Sequence, residues 1–387
     1  MKANRAYLDH NASAPLAPEA RAAMLAVLDT HGNPSSVHAE GRALRRIVET
    51  ARRDVAALAG ASAEHVIFTS GATEAASMLL TPNWRMGRSP LLMSKVYVCA
   101  ADHPCTLAGG RFAAADISTY GVSPDGRVDL TELESLLGAH DKASGLPLVA
   151  IHAANNETGV IQPVSEVARI VKAAGGVLVV DAVQAAGRIP IDMSEGWGDF
   201  LILSSHKIGG PQGAGAVLGG SDLMMPAPLV RGGGQEKGHR AGTENVAAIA
   251  GFGVAAVLAG ESLRDIGRVA AMREAVEAAV LGYASDATIY GSSAPRLANT
   301  SFFAIPGVKA ETAQIAFDLA GVALSAGSAC SSGRVGPSHV LKAMGFASDE
   351  GALRVSIGPS TTGEEISMFR EALAALVTRR AERTKAA

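Results

Sequence analysis

Seven short stretches of the 387-residue chain carry residue types that do chemistry, and each one follows an apolar run or sits in a glycine-rich loop. FLILSSHKIGGPQGAGAVLG runs into Ser204, Ser205, His206 and Lys207 before Gly209 and Gly210. A lysine just past an apolar strand can be partly desolvated, which frees its amine for Schiff-base chemistry; the alternative is a surface lysine on a loop. VLVVD ends in Asp181, a carboxylate aimed into the crevice where α/β sheets bind ligands, or else an N-cap for the next helix. FTSGATEAA passes from strand through Gly71 into a helix with Thr73 and Glu74 in its first turn, a cup of free N–H groups suited to a phosphate. Ser204 and His206 could add donors from the opposite wall.

His103 in ADHPC ends another strand and faces the same crevice, where an imidazole can stack on a flat ring and shuttle protons, or simply serve the structure. Asn155, Asn156 and Glu157 in HAANNETG are either turn formers or hydrogen-bond partners of a ligand. Cys330 in LSAGSACSSGRVG lies among small residues that could not bury it, so its thiol is expected to be exposed in a mobile loop and reactive. Arg354 in ALRVSIG can grip a carboxylate with two parallel hydrogen bonds, or make a salt bridge at a domain interface. Cys99 and Cys105 read as buried bystanders.

The elements that must hold these groups follow from hydrophobic pattern. Short Val/Ile-rich runs end at Ser70, Ala100, Ala154, Asp181, Ser205 and Gly219, and they alternate with helical stretches such as Arg42 to Leu58 and Pro163 to Ala174. That is the pattern of a mostly parallel sheet covered on both faces by helices, an α/β fold. From about Glu244 the texture changes to two Ala-rich helices and then to weaker strands, ATIYG, NTSFFAI and ALRVSIG, with helices near Glu311 to Leu319 and Glu364 to Arg380. This predicts a large domain over residues 16–260 and a smaller α+β domain from residues 1–15 and 261–387, which carries the cysteine loop at about 325–336. The loop GGGQEKGHRAGTEN, Gly232 to Asn245, approaches a ligand or a neighbouring subunit, or is a surface connection.

Composition narrows the class. Apolar residues make up 48% and charged residues 18%, and the net charge is −3, with no lysine or arginine run that would hold nucleic acid. Three scattered cysteines make neither a disulfide framework nor a zinc site, so no metal is expected. The N-terminus lacks the apolar stretch of a signal peptide and no uninterrupted apolar run reaches ~18 residues, so a cytoplasmic protein without a membrane partner is expected.

Taken together, YLDHNASAP, GNPSSVHAEGR, FTSGATEA, DHPC, NNETG, VDAVQAAG, SSHKIGGPQGAGA, GGGQEKGHRAGTEN, SAGSACSSG and LRVSIG follow one another from Tyr7 to Gly358. In that order they resemble the cysteine desulfurases of the nitrogen-fixation and iron–sulfur-cluster group, in the aminotransferase class V superfamily. SAGSACSSG is similar to the first group of these enzymes, with its long cysteine loop. The resemblance implies a fold-type I enzyme that uses pyridoxal 5'-phosphate, a mostly parallel seven-stranded sheet in the large domain, and a homodimer. It implies that Lys207 forms the Schiff base, Asp181 partners the pyridine nitrogen, and His103 stacks on the ring. Gln184 and Asn156 would contact the phenolic oxygen and the substrate. Ala72, Thr73, Ser204 and His206 would hold the phosphate, joined by Thr243 of the second subunit. Cys330 would carry the persulfide and Arg354 would clamp the carboxylate of L-cysteine, which becomes alanine, while the sulfur passes to an iron–sulfur scaffold or another acceptor. An aminotransferase or selenocysteine lyase on the same scaffold, or a weakly catalytic sulfur-relay protein, are the alternatives. Three features depart from the group's pattern. Asp102 stands in place of a glutamate, Cys105 in place of a small residue, and TPNWRMGRSPLLMSK, Thr81 to Lys95, in place of an asparagine-containing helix.

Overall fold

A computed structural model describes residues 5–327, 338–346 and 350–386. Cys330 and most of the loop around it lie outside the described residues. The chain opens with a short strand, β1 (Ala6–Tyr7), and two helices, α1 (Pro18–Leu28) and α2 (Ala39–Leu58). Strands and helices then alternate: β2 (Val66–Thr69), α3 (Ala72–Leu79), β3 (Asn83–Met86), β4 (Ser89–Cys99), α4 (Pro104–Leu107), β5 (Ile117–Tyr120), α5 (Leu130–Gly138), β6 (Leu146–His152), α6 (Val164–Ala174) and β7 (Val177–Asp181). Next come β8 (Phe200–Ser204), β9 (Gly215–Gly219), β10 (Met224–Pro226), α7 (Val246–Ser262) and α8 (Ile266–Tyr283). The rest comprises β11 (Thr288–Ile289), β12 (Thr300–Ala304), α9 (Ala310–Leu319), β13 (Val322–Ala323), β14 (Ser325–Ala326), α10 (His339–Ala343), β15 (Leu353–Ser356) and α11 (Gly363–Ala386).

The large sheet has nine strands in the order β10-β3-β4-β6-β7-β8-β9-β2, with β5 also on β4. Strands β5, β4, β6, β7 and β8 pair in parallel, while β9 runs antiparallel to both β8 and β2. The resemblance implies seven strands, and the sheet has nine. Six of them, β2, β4, β6, β7, β8 and β9, are the apolar runs read as strands, and β3, β5 and β10 are additional. The segment Thr81 to Lys95, where the resemblance implies a helix, forms an antiparallel hairpin of β3 against the first part of β4, turning at Gly87 and Arg88, with β10 paired on β3. Trp84 anchors the hairpin: it is buried, packs edge-on against Phe200 and donates its indole N–H to the Thr81 carbonyl at 2.9 Å.

The central strands β7, β8 and β9 are buried at every residue because both sheet faces are covered. One apolar cluster packs Val149, Ile151, Val180 and Leu201 under α2, α5, α6 and α7; the other packs Val98, Ala150, Val179 and Ile202 under α3. The run Val246–Tyr283 is long and apolar enough to cross a membrane by composition, yet it is largely buried, and α7 lies against α1 and α2. A third cluster joins Ala6 and Leu8 to Phe303, Phe317, Val355 and Phe369, around a four-stranded sheet of order β11-β12-β15-β14.

Candidate active site

The C-terminal ends of β4, β6, β7 and β8 open onto a pocket of about 450 Å³. Lys207, Asp181, His103, Asn156, Gln184, Ala72, Thr73, Ser204 and His206 all line it. Residues up to 135 positions apart are thus gathered by the parallel strand order, which brings successive strand ends to one edge.

Lys207 sits in a single 3₁₀ turn, Ser205–Lys207, directly after β8. The turn is followed by Gly209 at φ 86°, a left-handed conformation that favours glycine, which lets the chain reverse beneath the lysine. Lys207 Nζ donates to the carbonyls of Asn11 at 2.6 Å and Ala12 at 2.9 Å, so the YLDHNASAP segment restrains the lysine amine. Asn11 is itself fixed: its side-chain amide donates to the Asn156 carbonyl and to Thr300 Oγ1.

Asp181 ends β7, with one carboxylate oxygen accepting from the Val183 N–H at 3.0 Å. The capping role and the ligand-facing role therefore coexist, because the turn that it caps is what aims it. Burial raises its carboxyl to about 6, helped by the charge of Asp102 and opposed by the Val183 hydrogen bond, His152 and Lys207. Gln184 is buried and donates to the Asn11 carbonyl at 3.1 Å, while its side-chain oxygen accepts from the guanidinium of Arg188. Burial, with the charge of Arg354, lowers Arg188 to about 9.

His103 is the N-cap of α4, accepting at Nδ1 from the Cys105 N–H at 3.3 Å. Burial, then Lys207 and His339, push it down to about 4 against the pull of Asp102, so it is neutral at pH 7. Cys105 also lines the pocket, its Sγ 3.0 Å from His103 Nδ1, which corrects the expectation of a buried bystander. Cys99 is the bystander: it is fully buried, and burial and Asp102 raise its thiol. Asp102, also fully buried, takes three donors: Cys99 N at 3.0 Å, His152 N at 2.9 Å and His152 Nδ1 at 2.6 Å. His152 is held from the other side by Gln162, 3.1 Å away.

The opposite wall is the N-terminus of α3, where Ala72 and Thr73 present first-turn N–H groups. Strand β9 comes so close that a Cβ on Gly215 would lie 2.7 Å from Gly71 Cα. Glu74 would repel an anion there, but it is engaged by the Ser70 N–H at 2.8 Å and by Arg240 at 2.9 Å. Those bonds outweigh burial and keep its carboxyl low. His206 Nδ1 lies 3.3 Å from Ser13 Oγ, and burial lowers the ring to about 4.

Among the described residues, two expected site residues are not in the lining. Arg354 on β15 is 2% exposed; it donates to the Asn156 carbonyl at 2.9 Å and to Asp9 at 2.8 Å, a salt bridge within the expected small domain, where the alternative reading had one across a domain interface. Thr243 is exposed on the loop after Gly232. Cys330 lies outside the described residues. Sequence reasoning missed Asn11, His152 and the positioning residue Arg188, and marked Asp102 only as a departure from the group's pattern.

A parallel sheet whose strand ends gather a lysine, an aspartate and a histidine beside a helix N-terminus defines a cofactor-using α/β enzyme site. Residues 6–369 match the aminotransferase class-V family. The chain is 39% identical to a cysteine desulfurase of Frankia sp. (strain EuIK1), covering 96% of this chain and 91% of that one. It is 34% identical to the IscS-like cysteine desulfurase of Mycobacterium tuberculosis (strain ATCC 25618 / H37Rv), over 97% and 96% of the two chains. Among solved structures it is similar to the NifS-like protein from Rickettsia africae ESF-5, with a TM-score of 0.87 at 32% identity, over 96% and 99% of the chains. The chain belongs to the aminotransferase class-V family and, within it, to the cysteine desulfurases.

Proposed function

We propose that the protein is a pyridoxal-phosphate-dependent cysteine desulfurase that converts L-cysteine to L-alanine and leaves the sulfur as a persulfide on Cys330. The observation that carries the reading is the convergence of Lys207, Asp181 and His103 on one pocket, in a chain matched nearly end to end by cysteine desulfurases. The donor set fits the cofactor. Asp181 is a buried carboxylate suited to a protonated pyridine nitrogen, Lys207 is an amine at a strand end, and α3 offers N–H groups whose one nearby carboxylate is already neutralised by Arg240. When bound, the cofactor supplies an electron sink for the Cα carbanion.

The chain's own residues do the rest. Lys207 is the base for the Cα proton, and its reach is set by the Asn11 and Ala12 carbonyls. Asp181 keeps the ring nitrogen protonated, and burial strengthens that pairing. His103 covers the ring, Gln184 and Asn156 meet its phenolic oxygen and the substrate, and Ala72, Thr73, Ser204 and His206 hold the phosphate. Thr243 of a second subunit completes that cup in a homodimer, which suits its exposure on the Gly232–Asn245 loop. Arg354 takes the substrate carboxylate once it exchanges Asp9 for that anion. The persulfide passes to an iron–sulfur scaffold or another sulfur acceptor in the cytoplasm.

The test is the loaded enzyme with L-cysteine and dithiothreitol. Alanine and sulfide in equal amounts support the reading. Cys330→Ala should keep the cofactor absorbance and lose sulfide release; turnover retained in that variant refutes the role of Cys330. Amino transfer to a keto acid that survives Cys330→Ala would favour an aminotransferase.

A further inference from the structure

The Cys105 thiol touches the one imidazole that faces the pocket from α4. Its Sγ is 3.0 Å from His103 Nδ1, and its backbone N–H reaches the same nitrogen at 3.3 Å. Thr106 Oγ1, buried beside it, lies 3.8 Å from Sγ, so a hydroxyl-to-thiol-to-imidazole chain is in place. Both contacts to the imidazole are at Nδ1. Among the described residues, none hydrogen-bonds Nε2.

We propose that Cys105 is a positioning residue that holds His103 in the tautomer with its proton on Nε2, so that His103 meets the substrate as a hydrogen-bond donor. The reasoning is one of donor and acceptor count. A backbone N–H can only donate, so Nδ1 must accept, and in a neutral imidazole the single proton is then on the other nitrogen. The thiol reinforces this as a second donor to the same lone pair. Burial and the neighbouring Asp181 raise that thiol to about 12, so it stays protonated and able to donate, while His103 stays neutral. The charged or titratable groups that face the imidazole are Lys207, His339, Asp102 and Cys105 itself.

The consequence deepens the proposed function and rests on it: His103 offers an Nε2–H hydrogen bond to the developing charge on the substrate and does not compete with Lys207 as the base. A serine at 105 keeps a donor at the same place, whereas an alanine leaves the backbone N–H alone. Losing one such hydrogen bond changes the tautomer ratio by about 2- to 10-fold.

The experiment is ¹⁵N NMR of the pyridoxal-phosphate-loaded enzyme, labelled at histidine, with His103 assigned by its loss in His103→Gln. Nδ1 should resonate as an unprotonated nitrogen and Nε2 as a protonated one. Cys105→Ala should raise the Nδ1-protonated share and lower kcat with L-cysteine by about 2- to 10-fold at a near-constant KM, and Cys105→Ser should restore both. Protonated Nδ1 in the wild type, or a tautomer ratio unchanged in Cys105→Ala, overturns the proposal. So does a shifted ratio with unchanged kcat. The NMR reading stands whether or not alanine and sulfide are formed, so failure of the desulfurase reading is seen separately.

Discussion

Replacing Asp102 with asparagine perturbs the fold and the site through one isosteric change. Its two carboxylate oxygens accept from Cys99 N, His152 N and His152 Nδ1, all fully out of solvent. An amide has one oxygen. If that oxygen stays with His152, the amide N–H₂ faces the Cys99 N–H, and two buried donors lose their acceptor. Each orphan costs about 1–3 kcal/mol, so Asp102→Asn should lower unfolding stability by roughly 2–6 kcal/mol. The same change removes a negative charge that helps to raise Asp181, so the Asp181 carboxyl should titrate below its present value of about 6. Urea unfolding measures the first effect, and ¹³C-carboxyl titration of Asp181 in the cofactor-free protein measures the second. Unfolding within about 0.5 kcal/mol of the wild type, a difference as small as an ordinary surface change, would refute the reasoning about Asp102. An unmoved Asp181 would refute the coupling.

Glu236, 7% exposed and in a left-handed conformation at φ 45°, pins the glycine-rich loop by accepting from Arg52 at 2.7 and 2.9 Å and from the Phe68 N–H at 2.8 Å. Glu236→Gln leaves the Arg52 charge buried and should cost about 3–5 kcal/mol in urea unfolding, only part of it recovered in the Arg52→Met, Glu236→Leu double variant, which still leaves the Phe68 N–H without an acceptor; equal stability of single and double variants would contradict this. Glu157 accepts from Ser338 Oγ, the N-cap of α10, at 2.5 Å, and burial raises it to about 7 from an ordinary 4.5. Because its folded value is raised, the stability that it contributes is full below about pH 4.5 and is lost as pH rises through about 7. Glu157→Gln should flatten that decline in a pH series of unfolding free energies, and an unchanged slope would count against it.

Much of the fold is legible in the chain because buried parallel strands are continuous apolar runs. VLVVD, FLILSS and GAVLG read as strands and are strands, and the glycine after Ala174 closes α6 at φ 77° as expected. The hairpin β3–β4 and the strand β10 were not legible: β3 has four residues and β10 three, and the start of β4 is interrupted by an irregularity between Met93 and Lys95. Strand β5 was missed for a similar reason, since ISTY pairs on one side with β4 alone.

The sequence by itself determined the class of chemistry. A lysine after one strand, an aspartate ending another and a Gly-Ala-Thr turn before a helix are local patterns, set by residue type and by the strand or helix that each one ends. Only the tertiary structure decided which groups restrain which. That Asn11 holds Lys207, that Asp9 occupies Arg354, and that Cys105 turns from bystander to partner of His103 depends on side-chain directions at the strand ends. Those contacts join residues up to 345 positions apart as well as near neighbours. A pattern of types along the chain fixes which elements form, whereas distance and direction between their side chains come only from the packing of one element against another.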